Sequence, residues 1–549
     1  MRVLILAAAL AASCAHAGDG VFFKWFQYTG RDPEYVAPLP AGSFHNPILA
    51  GYYPDPSVTR VGDKYYLVNS TFAHWPLIPI HESSDLVHWK LIGHALSDPS
   101  KVTFDGLGTS RGVFAPAIAY HAGTFYIVNT LVDAGGNFFV TSTNAGGPYS
   151  DPVWLKEIDG IDPSFFFDDD GKAYIVNNGP PEGTPLYNGH RAIWIQEFHV
   201  ASQKLVGPRK VLVNGGTDLA KKPIWIEGPH LYRIDGTYFL VCAEGGTERN
   251  HSEVVFRSKS PWGPFESYAG NPILTQRDLP ADRANPVTNA GHADLVQMKD
   301  GTWWAVFLAS QPYEGYLFNT GRETFLLPVT WKDGWPVILE PGKAIPTTLP
   351  APRVQRRGAS GDALSGNFTK REEFRKTLGP EWIQVHVPKT RWYTLLADGG
   401  LMMGYSKVSL TDKVNPTFLA RRQQHKNFEG STELRIPVSG IVAGLAAFQN
   451  ERSWYFLGVR RQQSGATIFL ERDAGAAPVV VKETLLLANG KSDMLRLRIR
   501  GTGGRYSFDY DGGNGWTTLV EDDDATMMSS EKAGGFVGTV LGPYTRQEF

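Results

Sequence analysis

Short apolar runs rich in aromatic residues recur along the N-terminal part of the chain, each entered through a turn that carries glycine. The copies are Gly62-Asp63-Lys64-Tyr65-Tyr66-Leu67-Val68, Gly123-Thr124-Phe125-Tyr126-Ile127-Val128, Gly171-Lys172-Ala173-Tyr174-Ile175-Val176, Gly236-Thr237-Tyr238-Phe239-Leu240-Val241 and Gly301-Thr302-Trp303-Trp304-Ala305-Val306. Successive glycines stand 61, 48, 65 and 65 residues apart. Each interval holds about four strands of five or six residues with their turns, the content of one propeller blade. Asp-Gly pairs at Asp170-Gly171, Asp235-Gly236 and Asp300-Gly301 favour hairpins with positive φ. The pattern predicts a five-bladed β-propeller over residues 44–345, against the alternative of paired β-sandwiches with coincidental turns.

Beyond the last repeat, residues 346–366 have linker composition, rich in Pro, Arg, Gly, Ser and Ala. Alternating runs follow, such as Trp454-Tyr455-Phe456-Leu457-Gly458-Val459 and Leu495-Arg496-Leu497-Arg498-Ile499-Arg500, broken by turns like Asp511-Gly512-Gly513-Asn514-Gly515. They predict a β-sandwich of jelly-roll, lectin-like type over 367–549. The whole chain is thus expected to be all-β, with 18–43 a lead-in segment.

Composition agrees. Of 549 residues, 59 are Gly and 37 Pro, with 15 Trp, 22 Tyr and 30 Phe, which suits many short strands and tight turns. The net charge of −2 lacks the basic excess of a nucleic-acid binder. Residues 1–17 read as an export signal: Arg2, the short apolar run Val3–Ala12, and a cleavage site after Ala17 in Ala15-His16-Ala17. That run is too short to span a bilayer core of about 30 Å, and no later stretch is long enough. A secreted or periplasmic location is expected, with lipid attachment at Cys14 as an alternative. Cleavage after Ala17 leaves Cys242 as a single cysteine, a buried structural thiol within Phe239-Leu240-Val241-Cys242.

The candidate chemistry lies just upstream of the repeat glycines. Asp55, Asp162, Glu227 and His292 occupy corresponding places in four repeats, and Phe114-Ala115-Pro116 fills the place in the second. Equivalent positions in radial repeats lie at equal heights around one axis, so these residues are expected to meet at the channel mouth. Three carboxylates facing one cavity are costly unless they are used. The runs Asp168-Asp169-Asp170 and Asp522-Asp523-Asp524 read instead as solvated loops. Two carboxyls across a sugar ring suffice for glycoside hydrolysis, one protonated and one ionised, while a third can hold up the proton affinity of the acid. Phe72, Trp75, Phe114, Trp225 and Tyr313 are candidate sugar platforms. A propeller lectin would repeat one site in every blade, whereas the residues here differ. A phosphatase-like metal enzyme would need more clustered ligands.

Together, His45-Asn46-Pro47-Ile48-Leu49, Tyr53-Pro54-Asp55-Pro56-Ser57, Ser84-Asp85-Leu86-Val87-His88-Trp89, Gly112-Val113-Phe114-Ala115-Pro116, Gly160-Ile161-Asp162-Pro163-Ser164-Phe165, Glu227-Gly228-Pro229-His230-Leu231-Tyr232, Gly291-His292-Ala293-Asp294-Leu295-Val296 and Gly321-Arg322-Glu323-Thr324 resemble glycoside hydrolase family 43. The resemblance implies an inverting exo-glycosidase that removes xylose, or alternatively arabinofuranose, from xylo-oligosaccharides or hemicellulose fragments. It makes Asp55 the general base, Glu227 the general acid and Asp162 the residue that tunes and orients the acid. Arg322 would approach the sugar hydroxyls or Asp162; Arg111 would join Phe72, Trp75, Phe114, Trp225 and His292 in binding substrate. No cofactor is required, though His292 would sit on the axis where Ca²⁺ can be held through water. Inversion implies roughly 6.5–9.5 Å between the Asp55 and Glu227 carboxyls. The family commonly has Trp where this chain has Phe114. A loop of the sandwich would close the pocket in such enzymes, the alternative being a domain that only tethers.

Overall fold

The structure, a computed structural model, describes residues 20–353, 364–487 and 493–548. The expected export signal with Cys14, and 354–363 of the expected linker, lie outside the described residues. The N-terminal part folds as five blades, three of four strands and two of five. Their first two strands are Ser57–Val61 and Lys64–Val68, Ala117–His121 and Thr124–Val132, Ile161–Phe167 and Ala173–Gly179, Glu227–Ile234 and Thr237–Glu244, and Thr288–Gln297 and Trp303–Ser310. Each of the five repeat glycines sits in the turn between these two strands, so the turn signal marks the same hairpin every time. The first strands touch their neighbours in sequence, and that of the fifth blade touches that of the first, so the ring is closed. Aliphatic and aromatic side chains from adjacent blades fill the spaces between them, as in the cluster of Val176, Ile193, Leu240, Val254 and Phe256, which also buries Cys242.

Closure is reinforced from outside the repeats. Asn46 exchanges two side-chain hydrogen bonds with the backbone of Leu326 in the fifth blade, and Ser43–His45 pairs with Thr348–Pro350. Asp168 departs from the solvated-loop expectation: it is buried, accepting hydrogen bonds from Tyr238 Oη (2.7 Å) and Arg233 (3.1 Å).

The C-terminal part is a sandwich of two eight-stranded sheets around a core that includes Phe23, Phe26, Leu457, Leu497 and Phe508. Two strands come from elsewhere. Val21–Gly30, within the segment expected only as a lead-in, pairs with Asn427–Arg435, Leu401–Met403 and Phe368–Glu372 inside one sheet. His74–Trp75 leaves the first blade to pair with Ile383–Val385 at the edge of the other. The two domains are therefore joined through shared hydrogen-bond ladders.

Candidate active site

The first strand of a blade is distorted where it reaches the channel mouth. In the third, fourth and fifth blades the pairing register slips between Ile161 and Ser164, Glu227 and His230, and Gly291 and Asp294. Such a bulge turns a side chain that would otherwise lie along the sheet, and bulges recur beside active sites. Asp55, Asp162, Gly228 and His292 carry φ of 52, 54, 55 and 55° at this place. Non-glycine residues held there store strain that the surrounding fold must sustain.

This alignment corrects the expected phase. Gly228, not Glu227, is the counterpart of Asp55, Asp162 and His292, and Glu227 stands one residue before it. A β-carbon on Gly228 would lie 2.7 Å from His292 Nε2, so glycine makes room for the imidazole. Below this level, Ser57 Oγ and Tyr232 Oη donate to the two oxygens of Asp294, and Ser164 Oγ donates to the Pro229 carbonyl, tying the first, third, fourth and fifth blades together.

Asp55, Asp162, Glu227, His292 and Arg322 line one cavity of about 540 Å³ with Phe72, Phe114, Trp225 and Arg111. Asp55 accepts from Ser70 Oγ at 2.5 Å and from Arg322 Nη1 at 3.1 Å, and His292 Nδ1 lies 3.9 Å away. Arg322 thus pairs with Asp55 and not with Asp162; its Nη1 also donates to Thr247 Oγ1 (2.7 Å). Asp162 accepts from the Gly228 amide at 3.2 Å, a direct tether to the residue after Glu227.

The three carboxyls differ in proton affinity because their surroundings differ. Burial raises Glu227 well above the usual carboxylate range, and the charges of Asp162 and Asp55 add to this against the pull of Arg322 and Arg191. Asp162 is pushed up to about 7 by burial and then by Asp55. For Asp55, burial works upward too, but Arg322, His292 and the Ser70 hydrogen bond outweigh it, so its carboxyl lies below the ordinary value. The arrangement separates a group that keeps its proton from one that stays ionised, as acid–base catalysis requires. His292 is lowered to about 4, chiefly by burial, and is a neutral imidazole near pH 7.

Two expected platforms lie elsewhere. Trp75 is buried in the core between the first two blades because its strand is drawn into the sandwich sheet. Tyr313 packs on Gly503 and Gly504 of the sandwich. Arg111 is at the rim, paired with Asp133 and 5.7 Å from the Phe114 ring. Sequence reasoning missed Arg191 and Phe536. Arg191 is held by Asn178 Oδ1 and stacks 5.2 Å from the Trp225 ring centre. Phe536 enters from the sandwich, its ring 5.8 Å from Phe72 and 5.7 Å from Phe114, while its amide donates to Ser110 Oγ of the propeller (2.9 Å). The sandwich therefore supplies one wall of the cavity. Among the described residues no three His, Cys, Asp or Glu side chains converge as metal ligands, so the side chains around His292 do not fit a directly coordinated cation.

Residues 44–336 match the model of glycosyl hydrolases family 43, and residues 371–548 match the beta xylosidase C-terminal concanavalin A-like domain. The chain belongs to glycosyl hydrolases family 43. Among its relatives, a xylosidase/arabinosidase of Butyrivibrio fibrisolvens is 37% identical over 91% of this chain and 95% of its own length. A non-reducing end alpha-L-arabinofuranosidase of Bacteroides ovatus is 36% identical, covering 91% of each chain. Among solved structures, a family 43 enzyme retrieved from a capybara gut metagenome superposes with a TM-score of 0.90 at 37% identity, over 96% of this chain and all of that one. The xylan beta-1,4-xylosidase of Bacillus halodurans gives 0.81 at 31%, over 92% and 97%. As a family 43 member this protein is a glycoside hydrolase, an all-β enzyme of propeller and sandwich.

Proposed function

We propose that the enzyme is an inverting exo-glycosidase that removes β-1,4-linked xylose from the non-reducing ends of xylo-oligosaccharides. The observation that carries this reading is the cavity in which Asp55, Asp162 and Glu227 meet under Phe536. A chamber walled by two domains favours a chain end over a chain interior. Glu227 donates its proton to the glycosidic oxygen as the bond to the anomeric carbon breaks. Asp55 takes a proton from the water that adds to the opposite face of that carbon. Asp162, tethered to the Gly228 amide, positions Glu227 and sustains its proton affinity. Phe72, Phe114 and Trp225 offer apolar faces to the sugar, and Arg322 and Arg111 offer donors to its hydroxyls. Export to the periplasm or medium suits a substrate of this size.

α-L-Arabinofuranosidase activity is the second reading, favoured by the relative of that name in Bacteroides ovatus. Parallel assay of an aryl β-xyloside and an aryl α-arabinofuranoside, with NMR of the first-released anomer, tests both. Faster xyloside turnover with release of α-xylose supports the main reading. Faster arabinofuranoside turnover favours the second, and a retained anomer refutes inversion.

A further inference from the structure

A second cavity, of about 320 Å³, lies between the propeller and the sandwich and shares no lining residue with the catalytic one. Its walls carry Lys90 from the first blade and Lys370, Arg421 and Arg422 from the sandwich, against one carboxylate, Glu381. Glu381 is already engaged by Lys370 at 2.6 Å, with Arg421 Nη1 at 3.8 Å. Arg421 and Arg422 are 6% and 4% exposed, so neither charge is solvated as it would be at the surface.

Arg422 is the decisive group. Its Nε donates to the Tyr52 carbonyl (2.8 Å) and its Nη1 to Tyr53 Oη (3.5 Å), and it lies 4.7 and 4.2 Å from those two ring centres. All of these partners are neutral. The titratable side chains nearby, His74, His81 and His94, are held uncharged by burial first and then by Arg422 itself, so none of them offsets the guanidinium. Arg421 Nη1 also has no hydrogen-bond acceptor among the described residues. Buried charges are ordinarily paired, and a buried donor without an acceptor is unfavourable. Guanidinium groups suit oxyanions because their N–H groups form paired, charge-assisted hydrogen bonds.

We propose that the cavity between the two domains is a binding site for a small oxyanion of phosphate type, which bridges Lys90 of the propeller to Arg421 and Arg422 of the sandwich. The anion accepts from the guanidinium groups of Arg421 and Arg422 and balances the excess positive charge of the walls. It acts as a joint between the domains and takes no part in hydrolysis.

Calorimetric titration of the full-length enzyme with inorganic phosphate, at an ionic strength held constant with chloride, tests the site. The expected result is one saturable event in the parent enzyme, weakened about tenfold or more by Arg421→Gln, the loss expected for one charge-assisted contact. Lys90 is exposed at the cavity edge, so Lys90→Gln keeps the test valid if Arg421→Gln does not fold; it too is expected to weaken binding. Hydrolysis of an aryl xyloside should be unaffected by phosphate at saturating concentration. Absence of saturable binding, unchanged affinity in Lys90→Gln, or competitive inhibition by phosphate would each overturn the proposal.

Discussion

Glu227 and Asp55 sit in one cavity yet hold protons with opposite tenacity, and this difference sets the expected pH dependence. The proton affinity of Glu227 is raised, so its acid form survives to higher pH and kcat/KM falls as pH rises through its folded value. Asp55 is depressed, so the base remains ionised further into acid and the low-pH limb begins below the ordinary aspartate range. Replacing Asp162 with Asn removes the second-largest influence raising Glu227, so the alkaline limb of the kcat/KM profile should move to lower pH. An unmoved limb would refute its tuning role. Glu227→Gln should lower hydrolysis of xylobiose by about 10²–10⁴-fold while sparing aryl xylosides more, because a good leaving group needs less protonation. Equal losses on both substrates would count against Glu227 as the acid. These carboxylates were legible in the sequence because each opens a repeat. Arg191 was not, because its neighbours Asn178 and Trp225 come from a strand of the third blade and the loop before the fourth, and no local pattern marks their meeting.

At the scale of elements, the bulged entry of the first strands is what aims the side chains. Gly228→Ala should cost stability of about 1–3 kcal/mol, since alanine at φ 55° is strained and its β-carbon would strike His292. Urea unfolding measures this, and a neutral result would show that the imidazole can move aside. The turn glycines revealed all five hairpins, but the one-residue offset of Glu227 stayed hidden. A bulge is set by pairing with the neighbouring strand, and Glu227-Gly228-Pro229 resembles Asp162-Pro163 only after that pairing is known. The loop carrying Phe536 was equally silent, because its partners Phe72 and Phe114 lie in the other domain. Phe536→Ala should lower kcat/KM about tenfold or more, the effect of losing one aromatic anchor from a closed site. Steady-state kinetics with xylobiose decide it: a parent-like value would leave the sandwich without a role in the site.

At the scale of the whole molecule, the catalytic cavity depends on a strand more than 500 residues away in sequence from Phe536. Val21–Gly30 lies inside a sandwich sheet, with Val21, Phe23, Trp25, Phe26 and Tyr28 buried and Asn427–Arg435 paired along most of its length. Its aromatic and apolar residues are plain in the sequence, but a strand does not announce which sheet it joins, and its partner strands come after the entire propeller. Burying each large apolar side chain contributes about 1.5–3 kcal/mol, so the five together rival the 5–15 kcal/mol net stability of a typical domain. Deleting residues 20–30 should therefore unfold the sandwich while the propeller, with its own closure at Asn46 and Leu326, keeps its fold. Phe536 would then leave the cavity, and hydrolysis of xylobiose should fall at least as far as in Phe536→Ala. Limited proteolysis followed by mass spectrometry should find the first cuts beyond residue 367. A deletion variant with a protease-resistant sandwich and parent-like activity would show that the strand is dispensable.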